Sequence, residues 1–358
     1  MTTADRPGPT NSLLDVAGIR VGHATRRGDG WLSGTTVVLA PDEGAVAGVD
    51  VRGGGPGTRE TDLLDPRNMV ERVHAVVLSG GSAFGLAAAD GVLDRLATAG
   101  VGLQVGQPGE VVPVVPTAVV FDLGRGGDFA CRPGRDEGAR AYDAAVASAD
   151  DVVPQGVVGA GTGATVGGLK GGVGSASTVL PDGTTVAALA VVNALGASTD
   201  PETGELYAAR FCLPGELPAM TRPSEAEVSA HRAEADAQLA RLGLRPGTAT
   251  TIGVLATDAT LTKAQCAKVS GIAHDGMARA LRPVHTMFDG DTVFTLSTAR
   301  GSVPDPAAFH QLLEAAGDCF TRAIAHAVLA AETVETPAGR WLSFREAFPS
   351  AFASTPAT

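Results

Sequence analysis

Thr248-Ala249-Thr250-Thr251-Ile252-Gly253-Val254-Leu255-Ala256-Thr257 is a threonine pair opening an apolar run deep inside a 358-residue chain. The run predicts a buried strand from Thr250 to Ala256. Upstream of it, Ser224-x-x-Glu227 is a capping box that predicts a charged helix to about Arg241. A Gly/Pro connector over residues 242–249 comes next, and 222–249 is the most linker-like part of the chain. Downstream, Thr262-x-x-Gln265 caps a predicted helix to about Ala280. Beyond that helix lies His285-Thr286-Met287-Phe288-Asp289-Gly290-Asp291, and then a predicted strand over Thr292–Leu296.

The rest of the chain repeats this alternation. Short β-branched runs at Ile19–Val21 and Thr35–Leu39 predict strands. His74–Leu78 reads as a buried strand that passes through Ser79-Gly80-Gly81-Ser82 into a helix over Ala83–Ala97. Val111–Leu123 reads as a long apolar strand broken by Pro113 and Pro116, and Arg135–Ala149 as a helix. Gly156–Gly174 reads as a glycine-dense loop. Val186–Val192 is an uninterrupted buried strand ending at Asn193, and Pro306–Glu332 a long helix. Residues 1–11 read as a disordered tail and 12–358 as one domain. Buried strands alternating with helices predict a layered α/β or α+β architecture, sheets covered by helices.

Apolar residues make up 44% of the chain but aromatics only 4%, so the core has to be built from Ala, Val and Leu. The net charge of −12 argues against nucleic acid or an anionic membrane surface as a partner. No apolar run reaches the ~18–20 residues of a membrane span. The N-terminal stretch lacks the pattern of a signal peptide, so the expected compartment is the cytoplasm. Cys131, Cys212, Cys266 and Cys319 are widely spaced and read as reduced core residues rather than as a zinc site or disulfide framework.

Several residues can carry chemistry. A threonine hydroxyl needs a base to become a nucleophile. If the bond before Thr250 were cut, its own α-amine, with a pKa of roughly 7.7–8.0, would supply one. Taken alone, Thr250 reads first as an ordinary strand residue. Asp289-Gly290-Asp291 reads alone as a turn, or as two carboxylates that orient a hydroxyl or an amine. The Asn193 amide can donate to a developing oxyanion or simply end its strand. Lys170 sits in Gly163-Ala164-Thr165-Val166-Gly167-Gly168-Leu169-Lys170-Gly171-Gly172, which fails the phosphate-loop pattern, and a lone lysine there reads as solvated. Ser79-Gly80-Gly81-Ser82 is an anion site at a helix start or a tight turn. The seven histidines show no metal-ligand spacing, and no metal or organic cofactor is expected.

Together these pieces resemble the DmpA-type self-processing aminopeptidases (L-aminopeptidase/D-amidase/esterases), which include β-aminopeptidases and nylon (6-aminohexanoate) oligomer hydrolases. The resemblance runs from about Leu14 to Glu332. It rests on Asp50-Val51-Arg52-Gly53-Gly54, Leu78-Ser79-Gly80-Gly81-Ser82-Ala83-Phe84-Gly85-Leu86, Val191-Val192-Asn193, Thr250-Thr251-Ile252 and Asp289-Gly290-Asp291. It implies an αββα sandwich and autocleavage between Ala249 and Thr250 into an α chain, 1–249, and a β chain, 250–358. It makes Thr250 the nucleophile, Asn193 an oxyanion donor and Asp289 and Asp291 the carboxylates that position Thr250. Lys170 matches a lysine near the site, and Gly81, Ser82 and Phe121 fall at substrate-binding positions. The implied substrates are short peptides or linear amides, and the implied assembly is a homotetramer of αβ units. Two departures stand out: Ala249 where many relatives have Asn, and Phe121 where some have Tyr. An acyltransferase on the same scaffold and an uncut, non-catalytic homologue are the rival readings.

Overall fold

The run Val186–Val192 offers no polar face because its strand is covered on both sides. The computed structural model describes residues 6–148, 152–242 and 249–352. Two sheets are built from β1 (Arg20–Gly28), β2 (Trp31–Leu39), β3 (Ala45–Val51), β4 (Thr58–Arg59), β5 (Arg72–Val73), β6 (Ala75–Ser79), β7 (Thr117–Val119), β8 (Gly172–Val179), β9 (Thr185–Asn193), β10 (Thr250–Thr257) and β11 (Thr292–Ser297). The first sheet has the order β1-β2-β6-β7-β4 and the second β8-β9-β10-β11-β3-β5. The main helices are α1 (Ala88–Thr98), α2 (Arg135–Ala147), α3 (Glu225–Leu242), α4 (Lys263–Ala280) and α5 (Pro306–Ala330).

Three apolar layers hold these elements together. Ala88, Val92, Ala141 and Ala145 of α1 and α2 pack on Val37, Leu39, Ala75 and Val77 of the first sheet. The opposite face of that sheet, with Val38, Val76 and Leu78, meets Leu189, Val191, Ile252, Val254 and Phe294 of the second. Val186, Ala188, Val192 and Leu255 then face α4 and α5 through Val269, Ala273, Phe320 and Ala323. The result is the αββα sandwich that the resemblance implied. The scarcity of aromatics is met by close backbone approach. At Gly174 in β8, an added Cβ would lie 2.0 Å from the Ala323 carbonyl oxygen of α5, so only glycine fits under that helix.

The structure also departs from the sequence reading. Val111–Leu123 is not one strand. Val111–Val112 pairs with Leu103–Gln104 in a small ribbon, and only Thr117–Val119 joins the first sheet. Pro113 and Pro116, lacking an N–H, fall in the gap. The expected loop Gly156–Gly174 contains a hairpin, Thr165–Val166 against Leu169–Lys170, and the start of β8. Within the expected tail, Arg6 bridges Val179, the Gly8 amide donates to Ser177 Oγ at 3.0 Å and Asn11 accepts from the Ser177 amide at 2.9 Å. Residues 1–5, and 243–248 of the expected connector, lie outside the described residues. Cys266 and Cys319 are buried, but Cys131 and Cys212 are only half-buried rather than core residues. Among the described residues, no helix is long and apolar enough to cross a membrane.

Candidate active site

Three strand ends meet at Thr250. In the antiparallel β9–β10 ladder, Asn193 and Thr250 are register partners. β10 and β11 are parallel, so the chain must return through α4 before it can lie alongside. That return brings the turn before β11 to the start of β10, where Ala249 bridges Asp289. The sequence gap between Thr250 and Asp289 is therefore the length of a crossover.

Thr250 is 3% exposed and its Oγ lies 2.5 Å from the carbonyl oxygen of Ala249. The same oxygen accepts the Gly290 amide at 3.0 Å. A Cβ on Gly290 would stand 2.8 Å from Thr250 Oγ and 2.8 Å from Gly55 O, which is why this turn residue is glycine. Along its other edge lies the Gly-rich loop after β3. Arg52 donates its amide to Asp291 O at 3.0 Å and Gly55 to Asp289 O at 2.8 Å. In the site this loop lies flush on the turn, a Cβ on Gly53 standing 2.3 Å from the Asp291 nitrogen.

The two aspartates are buried and both face inward, but neither carboxylate bonds the Thr250 hydroxyl. Asp289 Oδ2 accepts the Thr286 amide and hydroxyl, each at 2.7 Å. Burial, and then the charge of Asp291, raise the Asp289 carboxyl above the usual carboxylate value. Asp291 Oδ1 accepts the Thr251 amide at 2.7 Å, beside Thr250, and its Oδ2 lies 2.8 Å from His285 Nδ1. His285 packs edge-on against His274, whose burial pushes it down to about 4. Sequence spacing gave neither histidine a role.

Asn193 is held from three sides. Its Oδ1 accepts Arg125 at 2.5 Å and the Thr165 amide at 3.1 Å, while Nδ2 donates to Phe121 O at 3.1 Å. Phe121 thus meets the site through its backbone, and its ring is half-buried. Arg125, unremarked in the sequence, is half-buried, and desolvation of its guanidinium pushes it down to about 10. Lys170 is fully buried, not solvated. Its Nζ donates to the carbonyls of Gly161, Ala164 and Gly171 at 3.1, 2.7 and 2.8 Å, using all three ammonium protons. Burial, then the Arg125 charge, push it well below the usual lysine value. Its contacts pin the hairpin whose Thr165 amide orients Asn193.

The anion-site reading of Ser79–Ser82 fails. Gly80 donates to Gly34 O, Gly81 to Asp122 Oδ1 at 2.7 Å and Ser82 to Val120 O at 2.9 Å, so all three amides are spent. The chain then enters a six-residue 3₁₀ turn, Ser82–Ala87, rather than the start of a long helix. Asp122, raised by burial, also accepts Ser33 Oγ at 2.7 Å. Among the described residues, no cluster of His, Cys, Asp or Glu could hold a metal ion.

Known proteins share this sequence pattern and this fold. Peptidase family S58 matches residues 11–342. An uncharacterized aminopeptidase of Mycobacterium tuberculosis is 48% identical, the match covering 96% of this chain and 100% of that protein. A 6-aminohexanoate-oligomer endohydrolase of Paenarthrobacter ureafaciens is 28% identical over 81% of this chain and 76% of its own length. In structure, a beta-aminopeptidase of Burkholderia sp. superposes with a TM-score of 0.72 at 21% identity, covering 99% of this chain and 98% of that one. By sequence and by fold, the chain belongs to peptidase family S58.

Proposed function

We propose that the chain is a precursor that cuts its own Ala249–Thr250 bond and then works as an N-terminal-threonine amide hydrolase. The observation that carries this reading is the pair of contacts on Ala249 O, Thr250 Oγ at 2.5 Å and the Gly290 N–H at 3.0 Å. Thr250 Oγ attacks the Ala249 carbonyl carbon. The developing oxyanion is met by the Gly290 amide, already in place. The C–N bond breaks, the hydroxyl proton passes to the departing Thr250 nitrogen, and an ester remains. Water then hydrolyses the ester, which leaves the Ala249 carboxylate and a free Thr250 amine. That amine serves as the base for its own hydroxyl in the next cycle.

In turnover, a substrate amide takes the place of the Ala249–Thr250 bond. The Asn193 Nδ2 hydrogen not given to Phe121 O is the second oxyanion donor. Asp291 fixes the backbone beside the nucleophile, Asp289 stiffens the turn, and Lys170 acts through the hairpin that orients Asn193. Gly81, Ser82 and Phe121 line the approach. Substrates are short peptides or linear amides with an amino end. 6-Aminohexanoate oligomers belong to that class. The working form is a tetramer of αβ units in the cytoplasm, testable by sedimentation of the processed protein. Thr250→Ala tests the core of the reading: it should abolish both processing and hydrolysis of an aminoacyl p-nitroanilide, and retained activity would refute it.

A further inference from the structure

The self-cleavage chemistry leaves His285 without a task, yet the chain is strained to place it. His285 has φ +58°, in the left-handed region. Its backbone amide and its Nδ1 reach the same Asp291 Oδ2, at 3.1 and 2.8 Å. One residue thus grips one carboxylate oxygen twice. Asp291 is 1% exposed, so this grip fixes its rotation. The other oxygen, Oδ1, accepts the Thr251 amide at 2.7 Å. The β10–β11 ladder begins only at Ile252 opposite Thr292, one residue later. Asp291 therefore supplies the acceptor that the neighbouring strand lacks beside Thr250.

The imidazole is itself held from behind. Its ring stands edge-on to His274, centroids 4.7 Å apart at 72°, and its Nε2 faces His274 O at 3.4 Å. His274 Nε2 lies 3.0 Å from Asp50 O, and its Nδ1 is buried with no partner. Donation from Nε2 to that carbonyl leaves Nδ1 as a bare lone pair, so His274 is a neutral wall rather than a second charge.

We propose that His285 is a positioning residue, holding Asp291 through the Nδ1–Oδ2 bond so that Oδ1 clamps the Thr251 amide and keeps the Thr250 hydroxyl against the Ala249 carbonyl. The proposal rests on Thr250 being the nucleophile. Two substitutions separate the hydrogen bond from the backbone strain. His285→Gly removes the ring and accepts a positive φ at no cost. His285→Asn also tolerates that φ and keeps a nitrogen donor near the Nδ1 position.

The assay is a cell-free translation chase of the full chain, read as loss of precursor on a denaturing gel, with folding checked by circular dichroism. The Gly variant should cleave about 10- to 100-fold more slowly, the range set by one hydrogen bond to a charged group. Imidazole added to the Gly variant should recover part of the rate, and the Asn variant should stay within about threefold of the parent. Parent-like cleavage in the Gly variant, or an Asn variant as slow as the Gly variant, would overturn the proposal. If the Gly variant does not fold, His285→Asp, which also tolerates the positive φ but offers no nitrogen donor, takes its place in the comparison with the Asn variant. Thr250→Ala in the same chase isolates the underlying reading: cleavage that survives it refutes the nucleophile, whereas cleavage lost there but untouched in the Gly variant refutes only His285.

Discussion

Replacing Gly290 with alanine tests the contact on which self-cleavage depends. The added Cβ would sit 2.8 Å from Thr250 Oγ and from Gly55 O, where ordinary van der Waals contact begins at 3.4 Å. Gly55 is itself tied to the turn by its amide to Asp289 O at 2.8 Å, so that side gives little. The turn must then retreat by about 0.6 Å, which stretches the 3.0 Å bond from the Gly290 amide to Ala249 O to about 3.6 Å, no longer a hydrogen bond. Loss of one oxyanion donor lowers rates about 10²- to 10³-fold. The overpacking itself should cost about 1–3 kcal/mol of stability, which leaves a folded chain. Gly134→Ala is the control, because nothing lies within 4 Å of its new Cβ. Precursor loss in a cell-free chase gives the rate and a thermal melt gives the stability. If Gly290→Ala is processed within about threefold of the parent, the Gly290 amide is not the oxyanion donor and the stated mechanism fails.

Thr250→Ser keeps the hydroxyl and should still process, whereas Thr250→Val keeps the β-branch without it and should remain a single band on a denaturing gel; a cut Val variant would sink the nucleophile. Lys170→Met strips the Gly171 carbonyl of its donor, while Gly161 O and Ala164 O keep the Ala164 and Gly171 amides, and should cost about 1–3 kcal/mol, with a melt below the parent; an unchanged melt would mean that the ammonium is not what holds the hairpin. His23 is half-buried, and the desolvation of its ring pushes it down to about 4 from 6.5. Between those values the unfolded chain binds the extra proton, so stability should fall as pH drops from 6.5 to 4, by up to about 3 kcal/mol from this residue. His23→Gln should flatten the difference between urea midpoints at pH 7 and pH 4.5, and an unaltered difference would contradict the burial argument.

The elements that could be read from the sequence are those whose pattern is local. Val186–Val192 announced a strand buried on both faces, and Thr262 with Gln265 announced the start of α4, where both halves of the capping box form. The layered architecture followed from such runs. Elements decided by distant partners could not be read this way. Lys170 looked solvated because its three carbonyl acceptors lie on a folded loop, not in a charge pattern. Arg125 and Asn193 stand far apart in the chain and meet only once the two sheets stack. His285 gains its meaning from Asp291, six residues on, but only because a left-handed turn folds it back. The Ser79–Ser82 turn carried a helix-start signal, yet Asp122 and neighbouring carbonyls claim its amides.

The most direct test of the central claim is intact mass spectrometry with N-terminal sequencing of the purified protein under denaturing conditions. Two chains are expected, roughly 25 and 11 kDa when 35.9 kDa is divided in proportion to length at residue 250, with the smaller beginning Thr250-Thr251-Ile252-Gly253. A single uncut chain of 35.9 kDa that nonetheless hydrolyses amides would contradict the account.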